Sequence, residues 1–171
     1  MRWLKFLLGD RVPEGFTGTL ESGEHVVGSA AVDGGGFLVV TPLGLWIPDG
    51  PRRVPWHLVA KAAWADGAFT LIEAEETGHA GEAVLLADLA PVKYRLKTPG
   101  KVPHLVRQRV TDSVRARHRQ ELPGGGAWFV QRKLPGQDGV VLQVRPDPGT
   151  DPALVADIAA EAAKKLAKPT A

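Results

Sequence analysis

From residue 24 onward, hydrophobic residues occur in short runs that alternate with polar positions and are separated by turn residues. A period of two is typical of strands, and the glycines, prolines and aspartates between the runs are typical of turns. Because these turns are short, we expect neighbouring strands to pair antiparallel. The strands predicted up to residue 74 are His25–Val32, Phe37–Thr41, Leu45–Ile47, Arg53–Trp56, Val59–Ala65 and Ala68–Ala74.

The dipeptide Asp66-Gly67 predicts a tight hairpin turn between the last two of these strands. Residues Glu75–Glu82 are polar and contain a glycine, so we expect a loop there. The strand pattern returns in Ala83–Leu89 and Val92–Leu96. The prediction for residues 24–97 is therefore a β-meander.

Three segments show the spacing of three and four residues that is typical of an amphipathic helix. Residues 1–16 predict an N-terminal amphipathic arm that either docks on the domain or lies at a membrane surface. Residues 103–112 predict a short helix that begins at Pro103. Residues 151–167 predict a C-terminal helix with Asp151 as its N-cap. The buried stripe predicted for this helix is Leu154, Val155, Ile158, Ala162 and Leu166.

The stretch between the last two helices begins with residues that fit two conformations. In a helix its three arginines would scatter around the circumference, whereas in a strand Arg115, Arg117 and Arg119 lie on one face. We favour a strand over Val114–Leu122, and a helix is the alternative for residues 114–121.

Two more strands are expected after this one, and they complete a three-stranded meander over residues 114–145. They are Ala127–Leu134 and Val140–Arg145, with turns that contain glycine and proline on either side. The periodicities also predict a set of mostly buried core residues: Phe37, Val39, Leu45, Ile47, Trp64, Leu71, Trp128, Val130, Leu142, Val144, Ile158 and Leu166.

The composition of the chain excludes several classes of function. A chain of 171 residues suffices for one substantial hydrophobic core, so we predict a single domain over residues 1–171. The absence of cysteine excludes disulfides, thiolate metal sites and thiol catalysis. The formal net charge of +2 permits anionic partners without requiring them.

The sequence contains no apolar stretch near the roughly 20 residues that a membrane-spanning helix needs, and we identify no export signal. We therefore expect no transmembrane segment and a cytoplasmic location. The abundance of alanine, glycine, proline and arginine is typical of a GC-rich bacterial genome.

One stretch resembles a known family. Residues 37–47, with the sequence FLVVTPLGLWI, are followed by RRVPW at residues 52–56 and then by a strand hairpin. This order of strand, threonine-centred turn, strand and basic-aromatic step resembles the early strands of bacterial pleckstrin-homology-like (PH-like) domains. The resemblance is strongest over residues 24–75. It implies a strongly bent antiparallel sheet pair or barrel that a final helix closes.

Taken together, the patterns and the resemblance predict an α+β fold. It is mainly antiparallel β, a PH-like bent sheet or barrel, with a short internal helix and a C-terminal closing helix. The resemblance implies binding of peptides, proteins or anionic headgroups rather than catalysis. It implies no particular binding residues.

Side chains that support catalysis or bind metals form no recognisable pattern. The serines lie outside a nucleophile elbow, and the five histidines are too widely spaced to form a ligand pair. The acidic stretch Glu73–Glu82 lacks the alternation of a calcium loop. We therefore expect no enzyme activity, no cofactor and no metal.

Basic residues in the last meander are the candidate binding site. The strand interpretation puts three arginines on one face, and we expect basic residues of the neighbouring strands on the same side, because Val130, Leu142 and Val144 are assigned to the core. The candidates are Arg115, Arg117, Arg119, Lys133 and Arg145. The face is either a solvated sheet surface or a docking surface for phosphate or an acidic partner.

The function we expect is a non-catalytic PH-like interaction module that binds another protein, and we also consider self-association. The alternative is nucleic-acid or anionic-ligand binding through the basic face.

Overall fold

A computed structural model describes residues 11–167 of the chain. These residues form an α+β fold of mostly antiparallel sheets, one of them curled into a half-barrel, with two α-helices, the second at the C-terminal end. Of the arm predicted over residues 1–16, residues 1–10 lie outside the described part.

The chain divides into two compact units. The first contains residues 11–73 and 90–112 of the described chain, and the second contains residues 74–89 and 113–167. The prediction of one domain over residues 1–171 stays a prediction.

The first unit contains a four-stranded and a three-stranded antiparallel sheet followed by a helix. The four-stranded sheet has the sequential order β1 (Gly28–Ala31), β2 (Phe37–Thr41), β3 (Gly44–Ile47), β4 (Arg52–Pro55). In the three-stranded sheet, the start of β6 (Ala68–Ala80) pairs with both β5 (Val59–Ala65) and β8 (Val92–Arg95). The helix is α1 (Val102–Ser113).

Both sheets of the first unit and α1 share one hydrophobic core. Val102 and Val106, one helical turn apart, are buried with side chains such as Leu38, Phe69 and Leu71. Such burial of an apolar helix stripe is the main source of stability for a helix of this length. The helix predicted over residues 103–112 is confirmed.

The hairpin predicted at Asp66-Gly67 is also confirmed. Ala65 pairs with Ala68, and the two turn residues have φ values of 53° and 74°. Positive φ at both central positions is the geometry of a type I′ turn, whose twist matches that of the flanking strands.

The predicted loop over Glu75–Glu82 is wrong. Strand β6 continues to Ala80 and pairs through a tight turn with β7 (Ala83–Asp88). The polar side chains of this segment are mostly exposed, and only Ala80 is buried. Backbone pairing with β7 holds the strand, so the hydrophobic pattern gave no sign of it.

The second unit contains a five-stranded sheet with one helix. The order is β6, β7, β11 (Val140–Pro146), β10 (Gly125–Lys133), β9 (Val114–Leu122). Strands β7 and β11 run parallel, and the other pairs are antiparallel. The strand predicted over Val114–Leu122 is confirmed, and the helix alternative for residues 114–121 is excluded.

The C-terminal helix α2 (Pro152–Ala167) covers one side of this sheet. Asp151 caps it as predicted, because its Oδ1 accepts a hydrogen bond of 3.0 Å from the Ala153 amide. The side chains that pack against the sheet are Val155, Ala159 and Ala163.

The buried stripe predicted for α2 is therefore confirmed at Val155, and its other members lie about one position away from the buried ones. Leu154, Ile158 and Ala162 are only half-buried, and 51% of Leu166 is exposed. The small alanines at positions 159 and 163 face the sheet and leave the bulkier Ile158 and Leu166 at the side of the helix.

The predicted core is otherwise confirmed in part. The buried members are Val39, Leu45, Ile47, Leu71, Leu142 and Val144. The half-buried members are Phe37, Trp64, Trp128, Val130 and Ile158.

The ionisation of Tyr94 offers a direct spectroscopic test of how this side chain is buried and bonded in the first unit. It is the only tyrosine of the chain, and its hydroxyl donates a 2.8 Å hydrogen bond to Asp49 Oδ2. Burial, together with the hydrogen bond and charge of Asp49, raises the pKa of Tyr94 well above its ordinary value of 10.0. We therefore expect ultraviolet titration of the folded chain to show ionisation only well above pH 10.0.

The stability from the protonated phenol is fully present below the ordinary pKa and is lost as the pH rises through the raised one. The control is the same titration in denaturant, where the ordinary pKa should return. Ionisation of the folded chain at the denatured value would show that Tyr94 is neither buried nor bonded to Asp49.

Candidate functional site

The two faces of the sheet in the second unit differ in their chemistry. The face under α2, here called the helix face, contains the buried side chains Ala127, Phe129, Leu142 and Val144. Side chains alternate between faces along a strand, and residues paired across strands share a face. The opposite face, here called the arginine face, therefore contains Arg117, Arg119, Trp128, Val130, Gln143 and Arg145.

Three of the five candidate binding residues lie together on the arginine face. Arg119 pairs with Trp128, which in turn pairs with Arg145, and Arg117 lies two residues away in β9. Arg115 is exposed and lies at an irregularity of the β9–β10 register, where it has no paired residue in β10.

The expected position of Lys133 is wrong. It pairs with Val140 on the helix face, as Gln131 pairs with Leu142, so it does not join the arginines. The prediction that Val130 lies in the core on the helix face is also wrong. The structure instead places Val130 opposite Arg117 and gives the core position to Phe129.

Ion pairs neutralise much of the arginine face. Arg119 donates two hydrogen bonds to the Asp147 carboxylate, one of them 2.8 Å long, and a third of 3.0 Å to Glu121. Arg145 lies 3.1 Å from Asp88. The hydrogen bonds from Arg119 lower the pKa of Asp147, so this pair stays charged at neutral pH.

Arg117 is held over an aromatic ring instead. Its guanidinium carbon lies 4.7 Å from the ring centroid of Trp128, within the range of a cation–π interaction. Beside it runs a groove of about 560 Å³, whose charged lining residues include Asp88, Arg145 and Asp147. The arginine face is therefore of mixed charge. This agrees with the interpretation of a solvated sheet face, on which Glu121 and Asp147 were expected to balance part of the positive charge.

The sequence pattern gives no sign that Arg132 is a buried side chain. It is 3% exposed, and its Nε donates a 2.9 Å hydrogen bond to Ser113 Oγ. Burial, with a smaller contribution from the charge of Arg145, lowers the pKa of Arg132 to about 10. The arginine is still protonated at neutral pH, and the Ser113 hydroxyl accepts its hydrogen bond within the fold.

A second groove, here called the apolar groove, lies on the helix face between β9 and α2. Its volume is about 310 Å³. It exists because α2 packs over β7 and β11 and leaves the β9 side of that face uncovered. The apolar lining residues are Phe129, Leu142, Ile158, Ala162 and Leu166, and Ala116, His118 and Lys165 are among the others.

This groove explains the misplaced stripe of α2. Ile158, Ala162 and Leu166 follow one another at intervals of four residues and form a second apolar row beside the buried one. A helix that covers a single sheet needs only one such row. The excess of apolar positions on α2 was visible in the sequence, but not the side of the helix on which it lies.

In the first unit, residues of the stretch 37–56 surround a buried carboxylate. The side chain of Glu24 is fully buried and accepts hydrogen bonds from Thr41 Oγ1 at 2.6 Å, Trp46 Nε1 at 3.1 Å and Arg53 at 2.8 Å. It also accepts one of 2.9 Å from the Glu21 amide. Every oxygen of this carboxylate thus has donors, as a buried charge requires.

These bonds leave the carboxylate charged. Burial raises the pKa of Glu24, but the hydrogen bonds and the charge of Arg53 outweigh that effect and hold the pKa below its ordinary value. Arg52 also pairs with a carboxylate, since it donates two hydrogen bonds to Glu73. Both arginines of the stretch therefore bind carboxylates of the chain itself.

Among the helices of residues 11–167, none has the length and hydrophobicity to cross a membrane. Comparison with family models, with curated proteins and with solved structures found no match to this chain.

Proposed function

We propose that the chain is a non-catalytic, PH-like interaction module that binds another protein at the apolar groove. The observation that carries this proposal is the second apolar row on α2, which lines the groove and is half-buried at Ile158 and Ala162 but exposed at Leu166. Leu166 is 51% exposed although it lies next to the apolar floor of the groove. A concave apolar surface with a polar rim is typical of a protein-binding site.

The order of elements in the first unit supports the PH-like part of the proposal. Four antiparallel strands are followed by a three-stranded sheet and then by α1, which shares their core. The resemblance over residues 24–75 implies a bent antiparallel sheet pair closed by the final helix of the chain. In this proposal α1, which was expected only as a short internal helix, takes the closing place in the first unit. The second unit is then an addition to the PH-like fold, and it supplies the binding surface.

The charges of the arginine face favour a protein over a nucleic acid. Nucleic acids are bound mainly by cations that are free to neutralise phosphates. Arg119 and Arg145 are already paired with carboxylates, and Asp88 and Asp147 line the same groove. These carboxylates would repel a phosphate backbone.

The test compares two single substitutions in the last turn of α2. Leu166 and Ala167 are adjacent and both exposed, but only Leu166 lines the groove. We expect immobilised parent chain to retain a specific protein from an extract of the source organism. Leu166→Gln should weaken this retention about tenfold, since loss of a buried leucine contact is worth over about 1 kcal/mol. Ala167→Gln should bind like the parent.

Equal retention by the Leu166 and Ala167 variants would show that the groove is not the binding site. Retention that is abolished by competing heparin and is indifferent to Leu166→Gln would favour the anionic-ligand alternative.

A further inference from the structure

The outer edge of β9 is open. In the sheet of the second unit β9 is the last strand, and no strand within residues 11–167 pairs with it on the side away from β10. Because alternate residues of Val114–Leu122 direct their backbone N–H and C=O groups toward β10, the residues between them direct theirs to the outer edge. Such an edge can accept one more strand by β-augmentation.

The side chains along this edge are basic. Arg115, Arg117 and His118 are exposed, and Arg115 and Arg117 have no carboxylate within salt-bridge distance among the described residues. Lys165 adds a further cation across the apolar groove. In contrast, Arg119 is already paired with Asp147 and Glu121.

This charge excludes a second copy of the chain as the preferred occupant. Two β9 edges paired with each other would bring their arginine rows side by side, and like charges across strands are destabilising. An acidic segment would instead find Arg115 and Arg117 unpaired and accessible.

The two sides of an added strand would meet different surroundings. On the helix face, next to Ala116 and His118, alternate side chains would point into the apolar groove. On the arginine face, the intervening side chains would lie beside Arg117, whose guanidinium is held over Trp128. A strand that fits both sides has apolar residues at every second position and acidic residues between them.

We infer that the partner supplies an extended segment of alternating acidic and apolar residues, which adds to the β9 edge as a further strand and fills the apolar groove. This inference rests on the proposed function, and it specifies the chemistry of the partner.

The experiment selects short random peptides displayed on phage against the full parent chain. We expect the enriched peptides to show acidic residues at alternate positions with apolar residues between them. A synthetic copy should bind Arg115→Glu/Arg117→Glu about tenfold or more weakly than the parent, because attraction at two sites becomes repulsion. Lys61→Glu/Lys93→Glu changes the charge equally at exposed positions of the first unit and should leave binding unchanged.

Strand addition has a separate readout. Methylation of alternate backbone nitrogens in the synthetic peptide removes the donors on one edge, so one of the two alternate methylation patterns should abolish binding and the other should not.

The inference is wrong if no peptide is enriched, if the enriched peptides lack the alternation, or if neither methylation pattern matters. Equal binding to the Arg115/Arg117 variant would also overturn it. These failures can be distinguished from failure of the proposed function. If the partner docks a folded surface on the apolar groove without adding a strand, the immobilised parent still retains it, and the retention still depends on Leu166.

Discussion

Glu24→Ala should lower the free energy of unfolding by about 3–5 kcal/mol, the cost of breaking a buried ion pair by removing one partner. The substitution removes the acceptor of Thr41, Trp46 and Arg53 at once and leaves Glu21 as the remaining carboxylate partner of Arg53 among the described residues. Urea unfolding of the parent and the variant would measure the difference.

The control for this prediction is Glu21→Ala. Glu21 also pairs with Arg53, at 2.7 Å, but its side chain is 62% exposed, so its removal should cost less than about 1 kcal/mol. Equal losses in the two variants would mean that the burial of Glu24 contributes nothing to the stability of the unit.

The same carboxylate predicts a dependence of stability on pH. Because the folded pKa of Glu24 is lowered, its contribution is present above the ordinary value of 4.5 and is lost as the pH falls through the lowered pKa. The difference between the parent and Glu24→Ala should therefore shrink as the pH is taken below 4.5. A difference that stays constant under acid would argue that the charge of Glu24 is irrelevant.

Ala159→Leu should lower the free energy of unfolding by about 1–3 kcal/mol, because the added atoms have no space between α2 and the sheet. Ala159 is 0% exposed and packs in the cluster that contains Phe129 and Val144. Ala153→Leu, at an exposed position of the same helix, should stay within about 0.5 kcal/mol of the parent.

Ile158→Ala separates the observed register of α2 from the one that the sequence suggested. A half-buried isoleucine at the side of a groove should cost about 1 kcal/mol, below the roughly 2–5 kcal/mol of a fully buried one. If Ile158→Ala causes a large loss of stability and Ala159→Leu is tolerated, the stripe suggested by the sequence is correct. Ile158 would then be buried against the sheet, and the apolar groove would not exist.

Strand positions were the most predictable part of the fold. The runs Phe37–Thr41 and Val59–Ala65 match observed strands, because alternation and turn residues are local signals. The parallel pairing of β7 with β11 joins residues far apart in sequence, and no local signal indicates it. Nor did local patterns reveal the long β6, since the polar side chains at its end are mostly exposed and show no hydrophobic alternation.

The candidate site was predictable only in part. Arg117 and Arg119 follow strand alternation, so their shared face was correctly expected. The run Ala127–Val130 is apolar on both faces, so the sequence could not show that Phe129 rather than Val130 faces the core. Asp88, which pairs with Arg145, lies on β7 and is far from it in sequence, so no local pattern indicates this ion pair.

The apolar groove could not have been derived from the sequence. Alanine fits either side of an amphipathic helix, so the alanine-rich α2 has two plausible stripes one position apart. Only the packing of Val155, Ala159 and Ala163 on the sheet shows that Ile158 and Leu166 are left over.

Amide hydrogen exchange tests the central claim most directly. Exchange is followed across the chain with and without the protein retained by the immobilised parent, since outward-facing amides of an edge strand exchange quickly until another strand covers them. The account predicts new protection in β9, Val114–Leu122, and in the last turns of α2, with none in β1 to β4 of the first unit. Protection confined to β1 to β4, with β9 exchanging as fast as in the free chain, would contradict it.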